Sequence, residues 1–209
     1  MSNVAEMEIY FLRHGETEWN RTHRIQGSTE WTDLTEDGVR LAEAARDGML
    51  AKGLSFDRIF SSPYLRALHT ARILGAGFGM EPVIDDRLRE ISFGPYEGTR
   101  YSKGLFADAN IRYCFVDPPR YVARDGAEPF DSVLARIREF VEETLTPLAE
   151  TCARVLVVAH GGVLRTVLRL TGSLSLADFW KGSQPNCCAH VCSLEDGRLV
   201  LKSRAVLFR

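Results

Sequence analysis

The 209-residue chain has little of what marks several large protein classes. No apolar run approaches the roughly 20 residues that cross a bilayer, so no membrane span is expected and the chain reads as soluble. Met1 to Glu8 lacks a basic stretch followed by an apolar one, so no secretory leader is expected either. Neither sign of charge dominates: Lys and Arg number 26, Asp and Glu 28, for a net charge of -2. That removes the electrostatic reason to expect nucleic acid as a partner. An anionic ligand must instead be held by a local cluster of cations. Cysteine is scarce, with five residues, and the odd number fits a reducing cytoplasm better than a disulfide framework. Internal repeats and low-complexity tracts are also missing.

What is present is the balance of an ordinary globular chain, 45% hydrophobic and 26% charged. The length fits one domain, with or without an insertion. Met7 to Leu12 reads as a first strand, and Thr35 caps a helix through Val39, Ala42, Ala45 and Met49 that stops near Gly53. Arg58 to Ser61 reads as a second strand, followed by a helix over Pro63 to Leu74 with proline in its first turn. Phe130 to Ala149 is a longer helical pattern that Pro147 must bend or end. Arg154 to Ala159 is almost wholly apolar, as in a strand buried on both faces, and Val163 to Leu170 is the helix after it. Cys187 to Leu194, Asp196-Gly197 and Arg198 to Leu207 read as a hairpin. The alternation predicts an α/β fold with a mostly parallel sheet and an added hairpin, in a single domain spanning 1–209. Residues 99–130 break the pattern and are expected to form an insertion lying over the sheet. An exposed strand or hairpin leaves room for a homodimer without requiring one.

Cys188, His190 and Cys192 would share one face of a strand, which raises the question of zinc. Strands space such groups widely and no Cys-x-x-Cys occurs elsewhere, so these read as small buried side chains and no metal is expected.

Polar and basic residues collect after three of the predicted strands. Arg13-His14-Gly15-Glu16-Thr17 follows the first, Ser61-Ser62-Pro63 with Arg66 the second, and His160-Gly161-Gly162 with Arg165 the buried one. Ligands of open α/β sheets bind at the carboxyl ends of parallel strands, so these segments should converge. Arginine forks and helix N-termini suit a dianionic phosphate. An imidazole that attacks phosphorus must be neutral, and Arg13 beside His14 would depress its pKa and hold the arriving group. Ser62 has no evident base, and no cysteine lies in these segments.

Phe11-Leu12-Arg13-His14-Gly15-Glu16-Thr17-Glu18-Trp19-Asn20 closely resembles the signature of the histidine phosphatase superfamily, which includes the cofactor-dependent phosphoglycerate mutases. Further blocks match in order: Arg24-Ile25-Gln26-Gly27, Leu34 to Gly38, Ser61 to Ala67 with Thr70-Ala71, Leu88-Arg89-Glu90 with Phe93-Gly94 and Glu97-Gly98, and Ala159 to Gly162, with Asn186 fitting a late position. The resemblance implies a three-layer α/β/α sandwich with a mixed, mostly parallel sheet. It implies His14 as the phosphorylated nucleophile, oriented by a backbone carbonyl, and Arg13, Arg66 and His160 as the phosphate pocket. Glu90 would protonate the leaving oxygen and then activate water. Asn20, Gln26, Gly27 and the Gly161 amide are further candidates for phosphate or substrate contacts, and no cofactor is called for. His69, the missing proline before Leu34 and a longer 28–33 loop depart from the pattern near Trp31.

The segment Ile91 to Gly98 is similar to the phosphatase branch, and Arg112, Arg120 and Arg124 are dispersed among Tyr113, Phe115 and Tyr121. Hydrolysis of a small phosphorylated metabolite, without metal, is therefore expected. A phosphoglycerate mutase, a His14/His160/Glu90 metallohydrolase and an inactive phosphate-binding module are the alternatives.

Overall fold

The computed structural model describes residues 6–101 and 108–209; residues 102–107 of the expected insertion, and the first five residues, lie outside it. Among the described residues, β1 (Glu8–Arg13), β2 (Arg58–Ser61), β3 (Val83–Ile84), β4 (Arg154–Ala159), β5 (Cys188–Glu195) and β6 (Arg198–Leu207) make one sheet in the order β3-β2-β4-β1-β5-β6. The first four positions in that order are parallel neighbours, and β5 and β6 add on as antiparallel strands. The hairpin closes on Asp196 and Gly197, with φ of 48° and 74°, the two left-handed residues of a type I′ turn.

The helices are α1 (Glu18–Arg21), α2 (Glu36–Ala51), α3 (Leu65–Phe78), α4 (Ala109–Val116), α5 (Phe130–Phe140), α6 (Thr146–Leu148) and α7 (Gly161–Leu170). Side-chain alternation along the strands divides the core into two layers. Tyr10, Leu12, Ile59, Leu156 and Val158 pack on Ala42, Ala45 and Met49 of α2 and on Ala67, Ala71 and Leu74 of α3. Ile9, Phe11, Phe60, Val155 and Val157 pack on Val133, Ile137 and Phe140 of α5 and on Val163 and Val167 of α7. The result is a three-layer α/β/α sandwich, with β4 buried on both faces.

Three local features differ from the sequence reading. Pro63 stands outside α3, which begins at Leu65 after Tyr64, whose amide is held by the Ser62 hydroxyl. Pro147 stands where its helix ends, at Leu148, but the turn before it is widened. Lacking an N–H and clashing with the carbonyl four residues back, it is accommodated by a π turn over Val141–Leu145. The Thr146 amide and hydroxyl both donate to the Val141 carbonyl there. The short strand β3 and the 3₁₀ turns Asp86–Leu88 and Gly94–Tyr96 gave no periodic signal. In the segment expected to be inserted, α4 sends Ile111 and Cys114 into the same buried cluster as α5 and α7.

The start of α2 presses on the loop after β1. A Cβ on Gly38 would lie 2.1 Å from the Glu16 carbonyl oxygen, and one on Gly15 would lie 2.7 Å from the Gly38 carbonyl oxygen. Alanine for a helical glycine ordinarily stabilises by about 1 kcal/mol. Here Gly38→Ala should do the opposite, forcing backbone apart and displacing the loop that carries His14. Thermal denaturation checks this: a lowered Tm is expected, and a raised one contradicts so close an approach.

Candidate active site

Adjacent parallel strands β1 and β4 end side by side, Arg13 in register with Ala159, and β2 ends next to β4. The residues that follow therefore gather without any long loop. The His14 and His160 rings meet edge to face with centroids 5.3 Å apart.

His14 is buried, and its Nδ1 is 2.7 Å from the Gly15 carbonyl oxygen. A carbonyl only accepts, so Nδ1 carries the proton and Nε2 keeps its lone pair in the neutral ring. Burial, then Arg66, then Arg13 push the His14 pKa well below the ordinary imidazole value, against the opposing pull of the Gly15 bond. The loop is pinned from behind: the Gly15 amide donates to Thr70 Oγ1 at 3.0 Å, and Asn186 Nδ2 donates to the carbonyls of His14 and Gly15 at 3.0 and 3.1 Å.

Two arginines surround this ring, Arg66 fully buried and Arg13 partly so. Arg66 donates NH1 to the Thr29 carbonyl and Thr32 hydroxyl and NH2 to the Gly27 carbonyl, at 2.6, 3.1 and 2.8 Å. Arg13 donates NH1 to the Gln184 carbonyl at 2.5 Å. In both, Nε is buried and makes no hydrogen bond within the described residues. Burial lowers the pKa of both, to about 10 for Arg66, and each remains charged at neutral pH. His160 pairs Nε2 with Ser62 Oγ at 2.7 Å, while its Nδ1 is buried without a bond there. Burial and then Arg66 hold the His160 pKa well below the ordinary value.

Glu90 is buried as well. Its carboxylate accepts from the Ile91 amide at 2.9 Å and the Gly162 amide at 2.8 Å, the latter in the first turn of α7. Burial raises its pKa; the two amides and Arg66 oppose this without cancelling it. The neighbouring cations are occupied elsewhere: Arg87 holds Asp85 and Glu143, and Arg89 holds Asp86. Gly162 is required for this fit, since a Cβ there would stand 2.4 Å from Glu90 Oε1. At Gly161 the space is open, bounded by Arg13 Nε at 3.8 Å and Glu90 Oε2 at 4.0 Å from an added Cβ.

These groups front a cavity of about 290 Å³, lined by Arg13, His14, Asn20, Gln26, Glu90 and Gly161 among others, with Phe93, Tyr101, Phe115 and Trp180 as an aromatic wall. Arg66, His160 and Gly27 are not part of that lining. Gly27 offers its carbonyl to Arg66, and a Cβ there would stand 2.5 Å from both Glu97 Oε1 and the Ile91 carbonyl oxygen. Its contribution is to position Arg66. Asn20 and Gln26 reach the cavity, but their side chains are engaged with Thr17, Thr32, Asn186 and each other. Of the expected cover, Phe115 lines the cavity; Tyr113, Tyr121, Arg112, Arg120 and Arg124 do not. Arg120 lies over the Tyr113 ring, 4.2 Å from its centroid.

Several contributors escaped the sequence reading. Arg136 of α5 donates NH1 to the carbonyls of Arg87 and Arg89 and pairs with Glu128, fixing the approach to Glu90. Gln184, Trp180 and Tyr101 come from segments with no periodicity to read. The cysteines of β5 have an apolar setting: Cys188 and Cys192 are in the core, and His190 accepts the Ala205 amide at 3.0 Å.

The profile of the histidine phosphatase superfamily (branch 1) matches residues 9–206. Phosphoserine phosphatase 1 of Hydrogenobacter thermophilus is 29% identical over 198 residues, 93% of this chain and 90% of that protein. A 2,3-bisphosphoglycerate-dependent phosphoglycerate mutase of Haemophilus influenzae is 30% identical over 220 residues, 91% of this chain and 96% of that protein. The solved structure of a mycobacterial glucosyl-3-phosphoglycerate phosphatase complexed with VO3 superposes with a TM-score of 0.80 at 30% identity, covering 96% of this chain and 99% of that one. Profile, relatives and fold agree over nearly the whole length, and the chain belongs to the histidine phosphatase superfamily.

Proposed function

We propose that the protein hydrolyses a small organic phosphomonoester in two steps, with His14 Nε2 carrying the phosphoryl group between them. The observation that carries this reading is the tautomer imposed by Gly15 on a ring kept neutral by burial and two arginines. A nitrogen lone pair at the mouth of a cationic pocket is what attack on phosphorus needs.

In the first step the Nε2 lone pair forms the P–N bond as the P–O bond to the leaving group breaks. Protonated Glu90 gives its proton to the departing oxygen. Arg13 Nε, Arg66 Nε and His160 Nδ1, near His14, are buried donors not committed to protein within the described residues, and they suit the phosphoryl oxygens. In the second step the Glu90 carboxylate takes a proton from water, whose oxygen attacks phosphorus. The P–N bond breaks, its electron pair returns to Nε2, and inorganic phosphate leaves. Glu90 is again protonated.

The same residues do not suit a metallohydrolase. The charges of Arg66 and Arg13 act on both His14 and His160, and the same positive charge repels a dication. A phosphoglycerate mutase is among the relatives, so transfer between phosphoglycerates is the alternative; here four aromatic rings form a wall beside Arg24 in the cavity lining. That wall favours a substrate with an apolar portion. In this reading the chain is a single domain, with Tyr101 and Phe115 contributing to the cover of the site. The five cysteines, all buried and unpaired, accord with a reducing cytoplasm, and no helix among the described residues is long and apolar enough to cross a membrane.

Rapid acid-free quenching with a fast substrate should trap a base-stable, acid-labile phosphoprotein, and inorganic phosphate should appear without a bisphosphoglycerate primer. His14→Ala should abolish the trapped species and reduce turnover to below about a hundredth. Primer-dependent isomerisation of 3-phosphoglycerate in place of phosphate release would instead establish the mutase.

Glu90 must be protonated for the first step, and burial raises its pKa from the ordinary carboxylate value. Activity on alkyl phosphates should therefore fall as pH rises through that raised value. Loss from His14 protonation should appear only well below the ordinary imidazole range. Glu90→Gln should slow alkyl phosphates by about a hundredfold, slow aryl phosphates less, and remove the alkaline limb. Equal effects on both substrates with an unchanged pH profile would contradict the assignment.

A further inference from the structure

Arg165 is a buried cation that the two-step scheme does not use. It projects from α7, one turn beyond Gly161, yet it does not line the cavity. NH1 donates to the carbonyls of Phe179 and Lys181 and NH2 to that of Gly182, each at 2.8 Å. The guanidinium also lies 5.5 Å from the centroid of the Trp180 ring. Burial is the main reason its pKa falls, to about 10, so it stays charged beneath the site. A desolvated cation surrounded by carbonyl dipoles fixes backbone firmly, because losing any acceptor leaves charge unpartnered.

The segment it grips supplies two groups to the active site. Trp180 forms part of the aromatic wall. Two residues after Gly182, the Gln184 carbonyl receives Arg13 NH1 at 2.5 Å, the single hydrogen bond among the described residues that fixes the Arg13 guanidinium. Gly182 has φ of 80°, so the chain turns there in a conformation that favours glycine, between the gripped carbonyls and Gln184. The line of contacts runs from Arg165 through 179–182 to Gln184 and on to Arg13 beside His14.

We infer that Arg165 is a positioning residue for catalysis, aiming Arg13 at the phosphoryl group by stapling the 179–184 segment. This rests on the reading of Arg13 as a phosphoryl-holding group. A fork is needed, not merely charge. One ammonium has a single centre to place among three converging carbonyls, whereas the guanidinium offers separate, coplanar N–H groups.

A double-mutant cycle on kcat/KM separates this role from a general structural one. Arg13→Lys should lower kcat/KM about a hundredfold, chiefly in kcat. Arg165→Met should lower it about tenfold, again in kcat more than KM, with Arg165→Lys recovering only part. If Arg165 acts through Arg13, the double variant should sit within about twofold of Arg13→Lys, not the further tenfold below that independence requires. Met49→Ala, in the core layer on the other sheet face, serves as a destabilised control whose effect should add to that of Arg13→Lys. Near-normal turnover in Arg13→Lys would refute the phosphoryl-holding reading itself. A damaging Arg13→Lys combined additively with Arg165→Met would overturn the positioning role alone. So would full activity in Arg165→Lys, or failure of both Arg165 variants to fold.

Discussion

The hydrogen bond between His14 Nδ1 and the Gly15 carbonyl sets which ring nitrogen faces the substrate, and much of the surrounding structure serves to keep it in place. Thr70 holds the Gly15 amide, Asn186 holds two carbonyls of the loop, and the start of α2 closes against it where only glycine fits. Burial and two arginines then keep the ring neutral. The same arginines would repel an imidazolium and attract a phosphate dianion, so in the proposed reaction one arrangement of charge serves both nucleophile and ligand.

Glu90 shows the opposite shift from the same surroundings. Desolvation depresses the pKa of a histidine and raises that of a carboxylic acid, so one dry pocket shifts His14 and Glu90 in opposite directions, each toward its neutral form. Two backbone amides orient the carboxylate without neutralising it, and the absence of a side chain at Gly162 gives it room. Supporting residues divide the labour: Arg136 secures the backbone leading to Glu90, and Gly27 and Thr29 secure Arg66.

What could be read from the sequence was what regular geometry repeats. The two-sided burial of β4, the cap at Thr35, the Asp-Gly hairpin and the convergence at strand ends all follow from periodicity or turn chemistry. The convergence of His14, His160, Arg13 and Arg66 was legible because motif and strand end coincide. The support of those arginines was not: their partners are backbone carbonyls of Gly27, Thr29 and Gln184, which no side-chain pattern announces. Arg165 stood among the basic residues that follow β4, and its three bonds turn it to the 179–182 segment. Gly27 misled, a glycine required by close packing and by its carbonyl. The cover over the cavity was only partly legible, since Phe115 reaches the wall and its neighbours Tyr113 and Tyr121 do not.

The neutral, Nδ1-protonated state of His14 is therefore the claim to measure. Nitrogen NMR of the histidine rings across a pH series, assigned by comparison with His14→Ala, reports tautomer and charge together. The structure requires His14 to remain neutral with its proton on Nδ1 well below pH 6.5, the ordinary imidazole value. An imidazolium at neutral pH, or a neutral ring protonated on Nε2, would contradict it.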